Sequence, residues 1–147
     1  MNFNDKEKSI ICLIRHGQTD WNLDGRLQGR EEIPLNKTGM AQANECANGI
    51  SKATEMFDIK WDRIISSPLG RAKTTAEAVA SKIDSYVSCD ERLIERNYGV
   101  ISGFTYKEYE SAIYGNAPNI DGLESTLSHL ILNICVALKI PSAQFFA

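Results

Sequence analysis

Short apolar runs and longer stretches with helical spacing alternate along this chain. The first run, residues 10–14, is uninterrupted and rich in β-branched residues, which is typical of a strand buried on both faces of a parallel sheet. Residues 61–66 and 86–89 predict a second and a third strand. Apolar side chains at helical spacing predict two intervening helices, with Met40, Ala43, Ala47 and Ile50 facing inward in the first and Ala72, Ala76 and Val79 in the second.

Caps and breakers place the remaining boundaries. Asn36 or Thr38 can cap the first helix, which we expect to end near residue 56. Ser-Ser-Pro at residues 66–68 begins the second helix. Strands that alternate with helices predict a mostly parallel sheet with helical cover. Further predicted segments are a long loop at 15–37, an irregular stretch at 90–103, a short helix at 105–114, a loop at 115–122 and an apolar helix at 127–138 that ends before Pro141.

Length and charge narrow the class of protein. We expect the 147 residues to form a single domain over 1–147, with a loose polar N-terminus at 1–9. The formal net charge of −3 argues against a nucleic-acid partner. The five-residue apolar run near the N-terminus is too short for a signal-peptide core or a membrane span. We therefore expect a cytoplasmic protein that does not bind membranes.

The four cysteines are widely spaced and include no CxxC pair. They could form two disulfides, but they sit inside apolar patterns, which favours buried, reduced thiols. For the same reason we predict no metal site. The positions are Cys12, Cys46, Cys89 and Cys135.

The first candidate site is Arg15-His16-Gly17-Gln18-Thr19, with Asn22 shortly after it. These residues follow the first predicted strand, and ligands of open α/β sheets bind at the carboxyl ends of the strands. Gly17 allows the backbone to turn sharply and approach a ligand. The pattern indicates a phosphate site, whereas the simpler interpretation is a strand end with an incidental histidine.

Two further candidates lie downstream. Arg71 falls in the first turn of a helix, where a cation is unfavourable unless an anion lies beside it. Glu95 lies in a loop flanked by apolar residues and a tyrosine, and such a carboxyl can act as a general acid. An exposed arginine and a solvated glutamate are the open alternatives. The tyrosines of the short helix, Tyr106, Tyr109 and Tyr114, are interpreted as packing residues.

Together these blocks resemble the histidine phosphatase superfamily, also called the phosphoglycerate mutase-like family. The resemblance rests on three sequence blocks that occur in the family's order, residues 13–39, 66–75 and 93–103. A fourth, shorter segment at residues 122–125 also resembles the family. The resemblance implies a three-layer α/β/α sandwich with a mostly parallel central sheet whose C-terminal part is incomplete.

The resemblance also implies roles for individual residues. His16 would attack the phosphoryl group and become a phosphohistidine, and Glu95 would protonate the leaving oxygen. Arg15 and Arg71 would hold the phosphoryl oxygens, because a guanidinium fits them best. The ligand would be a small phosphorylated metabolite, with no cofactor and no metal. The implied substrate-binding residues are Arg15, Asn22, Gln28, Gly29, Arg71, Glu95, Arg96 and Tyr98.

Phosphatase and mutase chemistry would share this phosphohistidine. Glycolytic mutases of the family carry a long insertion after the glutamate loop, whereas only a short segment separates Gly103 from Glu124 here. This favours hydrolysis of a phosphate monoester. Mutase-type phosphoryl transfer and a non-catalytic, phospholigand-binding remnant stay open.

The chain departs from the family in its last part. The family's second catalytic histidine follows an apolar strand and precedes a glycine, whereas His129 follows a mixed segment and precedes Leu130. We interpret His129 as a helix-face residue; the alternative is that it substitutes for the second histidine. Residues 126–147 then represent a divergent or deleted tail without the strand that bears that histidine. We expect activity lowered about 100- to 1,000-fold, and open strand edges that favour a homodimer.

Overall fold

The computed structural model describes residues 9–114 and 134–139 of the chain. The strands are β1 Ile10–Arg15, β2 Arg63–Ser66, β3 Val87–Cys89 and β4 Ile134–Lys139. The helices are α1 Asp20–Leu23, α2 Lys37–Met56, α3 Gly70–Lys82 and α4 Tyr106–Tyr114, with 3₁₀ turns at Glu91–Leu93 and Gly99–Ile101.

The strands form one sheet in the order β1-β4-β2-β3. Strands β2 and β3 are parallel, and β4 runs antiparallel to both β1 and β2. Strands β1, β2 and β3 therefore share one direction, and the carboxyl ends of β1 and β2 lie at the same edge. The α/β class predicted from the sequence is confirmed, with a sheet that is mostly parallel in direction.

Helices α2 and α3 cover one face of this sheet. Small side chains let them approach closely, since Ala47 and Ala76 are fully buried. The predicted inward faces of both helices are confirmed, except that Met40 is 44% exposed. The core cluster consists of Ile14, Ala47, Ile64, Ala76, Val79 and Ala80.

The prediction that β1 is buried on both faces is wrong. Ile11 and Leu13 are each 61% exposed, whereas Ile14 is buried and Cys12 packs against the core cluster. Successive side chains of a strand point to opposite faces. Because α2 and α3 lie on the face of Cys12 and Ile14, the alternate residues of β1 remain open to solvent.

The predicted helix over residues 127–138 is wrong in its described part, since residues 134–138 belong to strand β4. A short apolar run has no strong preference between helix and strand, and here the backbone pairs with β1 on one side and with β2 on the other. The place beside β1 that we expected to be open is therefore filled. Strand β4 carries no histidine, and His129 lies outside the described residues.

The cysteine prediction holds in part. Cys12 and Cys46 are half-buried free thiols, and burial raises the pKa of both. Cys89 is exposed at the end of β3, so the prediction of burial is wrong there, because β3 is an edge strand of the sheet. The side chain of Cys135 lies outside the described part of the chain. None of the helices described is long and apolar enough to cross a membrane.

Candidate active site

The loop after β1 is partly helical, which the sequence prediction missed. Helix α1 is only four residues long, and a capping box starts it. The side-chain hydroxyl of Thr19 accepts a hydrogen bond from the backbone N–H of Asn22, and the Asn22 side chain accepts one from the backbone N–H of Thr19. This box holds the segment after His16 in a fixed turn at the carboxyl end of β1.

A cavity of about 50 Å³ opens at this end of the sheet. That volume holds a few water molecules or one small polar group. Every predicted site residue lines it except Arg96, whose backbone N–H donates to Glu95 Oε1 at 2.8 Å. The lining residues are Arg15, His16, Asn22, Arg26, Leu27, Gln28, Gly29, Arg71, Glu95, Tyr98 and Tyr106.

His16 is held as a neutral imidazole. Its Nδ1 lies 2.6 Å from the carbonyl oxygen of Gly17, and because a carbonyl only accepts, Nδ1 carries the proton and Nε2 the lone pair. Burial lowers the pKa of His16 to about 4; the Gly17 bond opposes this, and the charges of Arg71 and Arg15 add to it. The ring is thus unprotonated at neutral pH, which a nucleophile requires.

The backbone around His16 is fixed by close approach to α2 and α3. A Cβ atom on Gly17 would overlap the backbone of Gly39, and one on Gly39 would overlap that of Gln18. The N–H of Gly17 also donates to Thr75 Oγ1 at 3.2 Å. Asn36 caps α2 by accepting from the N–H of Gly39, as one of the two predicted caps. Two helices therefore position the imidazole.

Arg71 is fully buried, so the interpretation as an exposed surface arginine is wrong. Its Nη1 donates to the carbonyl of Glu31 and its Nη2 to the carbonyl of Gly29, both at 2.7 Å. Burial lowers the pKa of Arg71, while the charges of Glu95 and Glu32 raise it. A guanidinium stays charged in proteins, so a fixed positive charge stands at the start of α3.

Thr19 orients two amide side chains toward the cavity. Its hydroxyl lies 3.0 Å from Asn22 Oδ1 and 2.8 Å from Gln28 Oε1, and it donates to one of them at a time. Asn22 Oδ1 also accepts from the backbone N–H of Thr19. Both amide oxygens are thereby engaged, which leaves the amide N–H groups of Asn22 and Gln28 to donate to an anion in the cavity.

Glu95 and Tyr98 each present a polar atom without a partner. Glu95 Oε2 and the Tyr98 hydroxyl are buried and make no hydrogen bond with any residue the structure describes. Burial, together with the nearby charge of Glu95, raises the pKa of Tyr98 to about 12, so this hydroxyl is a neutral donor. Buried orphan groups in one cavity indicate the place of a bound ligand. The guanidinium of Arg96 lies 6.0 Å from the Tyr98 ring centre.

Three lining residues were not predicted: Arg26, Leu27 and Tyr106. Arg26 and Leu27 lie inside the first sequence block, residues 13–39, so that block was the available signal. Tyr106 had been assigned to packing, but it is 40% exposed and borders the cavity. Within residues 9–114 and 134–139, no group of three His, Cys, Asp or Glu side chains could hold a metal ion.

A neutral imidazole, the buried guanidinium of Arg71, the exposed Arg15 and the buried carboxyl of Glu95 surround one small cavity, an arrangement that fits the requirements of phosphoryl transfer. The sequence model of the histidine phosphatase superfamily (branch 1) matches residues 11–122. The chain belongs to this superfamily.

Relatives of the chain include both phosphatases and mutases. The "uncharacterized phosphatase PhoE" of Bacillus subtilis is 38% identical over 127 residues, which cover 84% of this chain and 61% of that protein. A "probable phosphoglycerate mutase GpmB" of Escherichia coli is 38% identical over 91 residues, 62% of this chain and 40% of that protein. The chain thus spans less than two thirds of the relatives that it matches.

Solved structures share the fold. The mycobacterial glucosyl-3-phosphoglycerate phosphatase in complex with VO₃ has a TM-score of 0.64 at 31% identity, over 74% of this chain and 50% of that one. The phosphoserine phosphatase of Entamoeba histolytica in complex with 3-phosphoglyceric acid has a TM-score of 0.60 at 34% identity, over 79% and 57%. These neighbours support the phosphoglycerate mutase-like fold.

Proposed function

We propose that this chain hydrolyses a small phosphate monoester through a phosphohistidine on His16. One observation carries the proposal: the Nδ1 proton of His16 is engaged by Gly17, so the Nε2 lone pair is available in a cavity that also contains Arg15 and Arg71. Phosphoryl transfer needs positioning and charge compensation above all, and both are provided by residues of this cavity.

The reaction would proceed in two steps. In the first, His16 Nε2 attacks phosphorus, the bond to the leaving oxygen breaks, and protonated Glu95 gives its proton to that oxygen. In the second, water attacks phosphorus, its proton passes to Glu95, and the electrons of the phosphorus–nitrogen bond return to Nε2. The guanidinium groups of Arg15 and Arg71 and the amides of Asn22 and Gln28 would stabilise the phosphoryl oxygens throughout.

The compared proteins support hydrolysis and a small substrate. The PhoE relative, whose match covers 84% of this chain, is named a phosphatase, as are both solved neighbours reported above. The neighbour from Entamoeba histolytica was solved with 3-phosphoglyceric acid, and a mutant of that enzyme with phosphoserine. The GpmB relative favours phosphoryl transfer to an alcohol as the second candidate.

Trapping the intermediate tests this proposal. We expect the chain to hydrolyse an aryl phosphate and to yield, after rapid quenching, an acid-labile and base-stable phosphoryl label on His16. The variant His16→Gln should lose the label and at least about 1,000-fold in rate, because the nucleophile is gone. An Arg92→Met variant serves as the matched control, since Arg92 is exposed and bonded to Asp90 outside the cavity.

Three results would contradict the proposal in different ways. Hydrolysis that persists in His16→Gln would exclude the phosphohistidine. Consumption of the aryl phosphate only when an alcohol acceptor is added, with formation of a new phosphate ester and no inorganic phosphate, would favour the mutase. Absence of turnover, combined with a vanadate-dependent rise in melting temperature that Arg71→Ala removes, would identify a non-catalytic remnant. Assembly into a homodimer stays a prediction, which analytical ultracentrifugation of the same sample would measure.

A further inference from the structure

The peptide group between Glu95 and Arg96 is hydrogen-bonded on both sides. Its N–H donates to Oε1 of the Glu95 side chain at 2.8 Å, and its carbonyl oxygen accepts from Nε of Arg30 at 3.0 Å. Both bonds are made by one planar unit. The orientation of this plane, which Arg30 fixes from outside, therefore sets the place of the Glu95 carboxyl.

This arrangement distinguishes the two oxygens of the Glu95 carboxyl. Oε1 already accepts from an N–H, so a proton on the carboxyl is carried by Oε2. Oε2 is buried without a partner among the described residues, and Glu95 lines the cavity together with His16. In the reaction proposed above, Oε2 is therefore the atom whose proton passes to the leaving oxygen as the phosphorus–oxygen bond breaks.

Arg30 projects from a backbone segment that is itself fixed. The carbonyls of Gly29 and Glu31, on either side of it, accept from the two terminal nitrogens of Arg71 at 2.7 Å. Arg30 is exposed, does not line the cavity, and its side chain makes no other hydrogen bond or ion pair with any residue the structure describes. One bond from an exposed side chain adds little to stability, so the effect of Arg30 falls on the peptide group that it contacts.

We propose that Arg30 is a positioning residue for Glu95, which holds the Glu95–Arg96 peptide group so that the carboxyl presents Oε2 to the leaving oxygen of the substrate. The proposal rests on the phosphomonoester reaction proposed above and adds to it a residue outside the cavity. The charge of the guanidinium also polarises the peptide group and strengthens its N–H as a donor to Oε1. Without Arg30 the peptide plane can rotate, and the carboxyl leaves the geometry that proton transfer requires.

Two substrates that differ in their need for a proton test the proposal on the full chain. The alkoxide released from β-glycerophosphate must be protonated, whereas para-nitrophenyl phosphate releases a stable phenolate. We measure kcat/KM for each, because it covers the steps up to loss of the leaving group and excludes the later hydrolysis of the phosphohistidine. The ratio of the two values, β-glycerophosphate over para-nitrophenyl phosphate, reports proton donation.

We expect Arg30→Met to lower this ratio at least about tenfold, as a misplaced general acid would. Arg30→Lys should lower it less, because an ammonium can still donate one bond to the carbonyl oxygen. Arg92→Met, the matched loss of an exposed arginine outside the cavity, should leave the ratio unchanged. Since the ratio compares two substrates in one variant, a general loss of folding or activity cancels, and an unchanged ratio in Arg30→Met would overturn the proposal.

A double variant shows whether Arg30 acts through Glu95. Glu95→Gln removes the acid and should lower the ratio by about 100-fold or more. Adding Arg30→Met to Glu95→Gln should then cause no further decrease, because the group that Arg30 positions is gone. A decrease in the double variant equal to the product of the two single decreases would overturn the proposal.

If the chain turns over neither substrate, the proposed function fails, and hydrogen exchange of the Arg96 amide tests the contact independently. We expect this N–H to exchange at least about tenfold faster in Arg30→Met than in the wild type, because its acceptor Oε1 is no longer held in place. The Gly39 amide, which donates to Asn36 in α2, is the internal control and should exchange at the same rate in both proteins. An Arg96 amide that exchanges at the wild-type rate in Arg30→Met would overturn the positioning role.

Discussion

Lowering the pH from 7 to 4 should destabilise the protein through His16. The free imidazole titrates at 6.5, whereas burial holds the pKa of His16 in the folded protein at about 4. Between these values the unfolded chain takes up a proton at this position and the folded chain does not, so the free energy of unfolding falls as the pH falls. Each unit of difference between the two pKa values changes the free energy of unfolding by about 1.36 kcal/mol. The total loss of unfolding free energy between pH 7 and pH 4 is therefore about 3 kcal/mol.

The measurement is urea unfolding of the wild type and of His16→Gln at half-unit steps from pH 7.5 to pH 3. Glutamine is neutral at every pH, and the other titrating groups act equally in both proteins. The unfolding free energy of the wild type minus that of His16→Gln therefore isolates the contribution of His16. We expect this difference to be constant above pH 7, to fall by about 3 kcal/mol between pH 6.5 and pH 4, and to level off below pH 4.

A difference that stays flat over this range would refute the reasoning. It would mean that the folded chain protonates His16 as readily as the unfolded chain does, so the ring would be charged, and without a lone pair on Nε2, from about pH 6.5 downward. A difference that rises on acidification would show that a nearby carboxylate, with Glu95 as the candidate, stabilises the imidazolium instead.

Two further substitutions probe the supports of the site. Thr19→Val removes the hydroxyl that caps α1 and bonds to the amide oxygens, so it should lower the free energy of unfolding in urea by about 2–4 kcal/mol. The control Thr19→Ser keeps the hydroxyl and should lower it by only about 1 kcal/mol. Equal losses in the two variants would contradict this hydrogen-bond network. Gly29→Ala places a Cβ 2.7 Å from the ring of Tyr98 at a φ of +54°, so it should destabilise the fold by about 1–3 kcal/mol and weaken vanadate binding in a thermal-shift titration. Gly49→Ala, whose Cβ meets nothing within 4 Å in α2, should instead stabilise the chain by about 0.5–1 kcal/mol; similar behaviour of the two variants would argue against a tight turn at Gly29.

The local sequence pattern was sufficient to predict structure where the hydrophobic spacing was regular over a long segment. The spacing of alanines predicted the buried faces of α2 and α3, and Asn36 was correctly proposed as a cap. The residues around His16 followed from sequence blocks whose order matches the superfamily. Helix α1 was missed because it has four residues, too few for any period, and its capping box uses Asn22 where glutamate or glutamine is usual.

Tertiary contacts determined the features of the fold and the cavity that the local sequence pattern could not predict. The run at residues 134–139 is equally compatible with helix and strand, and only its backbone bonds to β1 and β2 make it a strand. The exposure of Ile11 and Leu13 depends on which face of the sheet α2 and α3 occupy. Arg26 and Tyr106 reach the cavity because a loop and a helix meet there, an arrangement in three dimensions that their own neighbours in sequence do not reveal.

The antiparallel strand β4 has a consequence for the order of folding. Ile10 pairs with Lys139 and Arg63 pairs with Leu138, so within the described residues the strand that leads to His16 gains its hydrogen-bonded neighbour only when a segment from far along the chain arrives. During synthesis, the backbone groups of β1 and of one side of β2 therefore stay unpaired until β4 has been made. In that interval folding competes with aggregation through these edges, and long-range pairing of this kind is slow. Synthesis rate and chaperone supply should therefore affect the yield of folded protein.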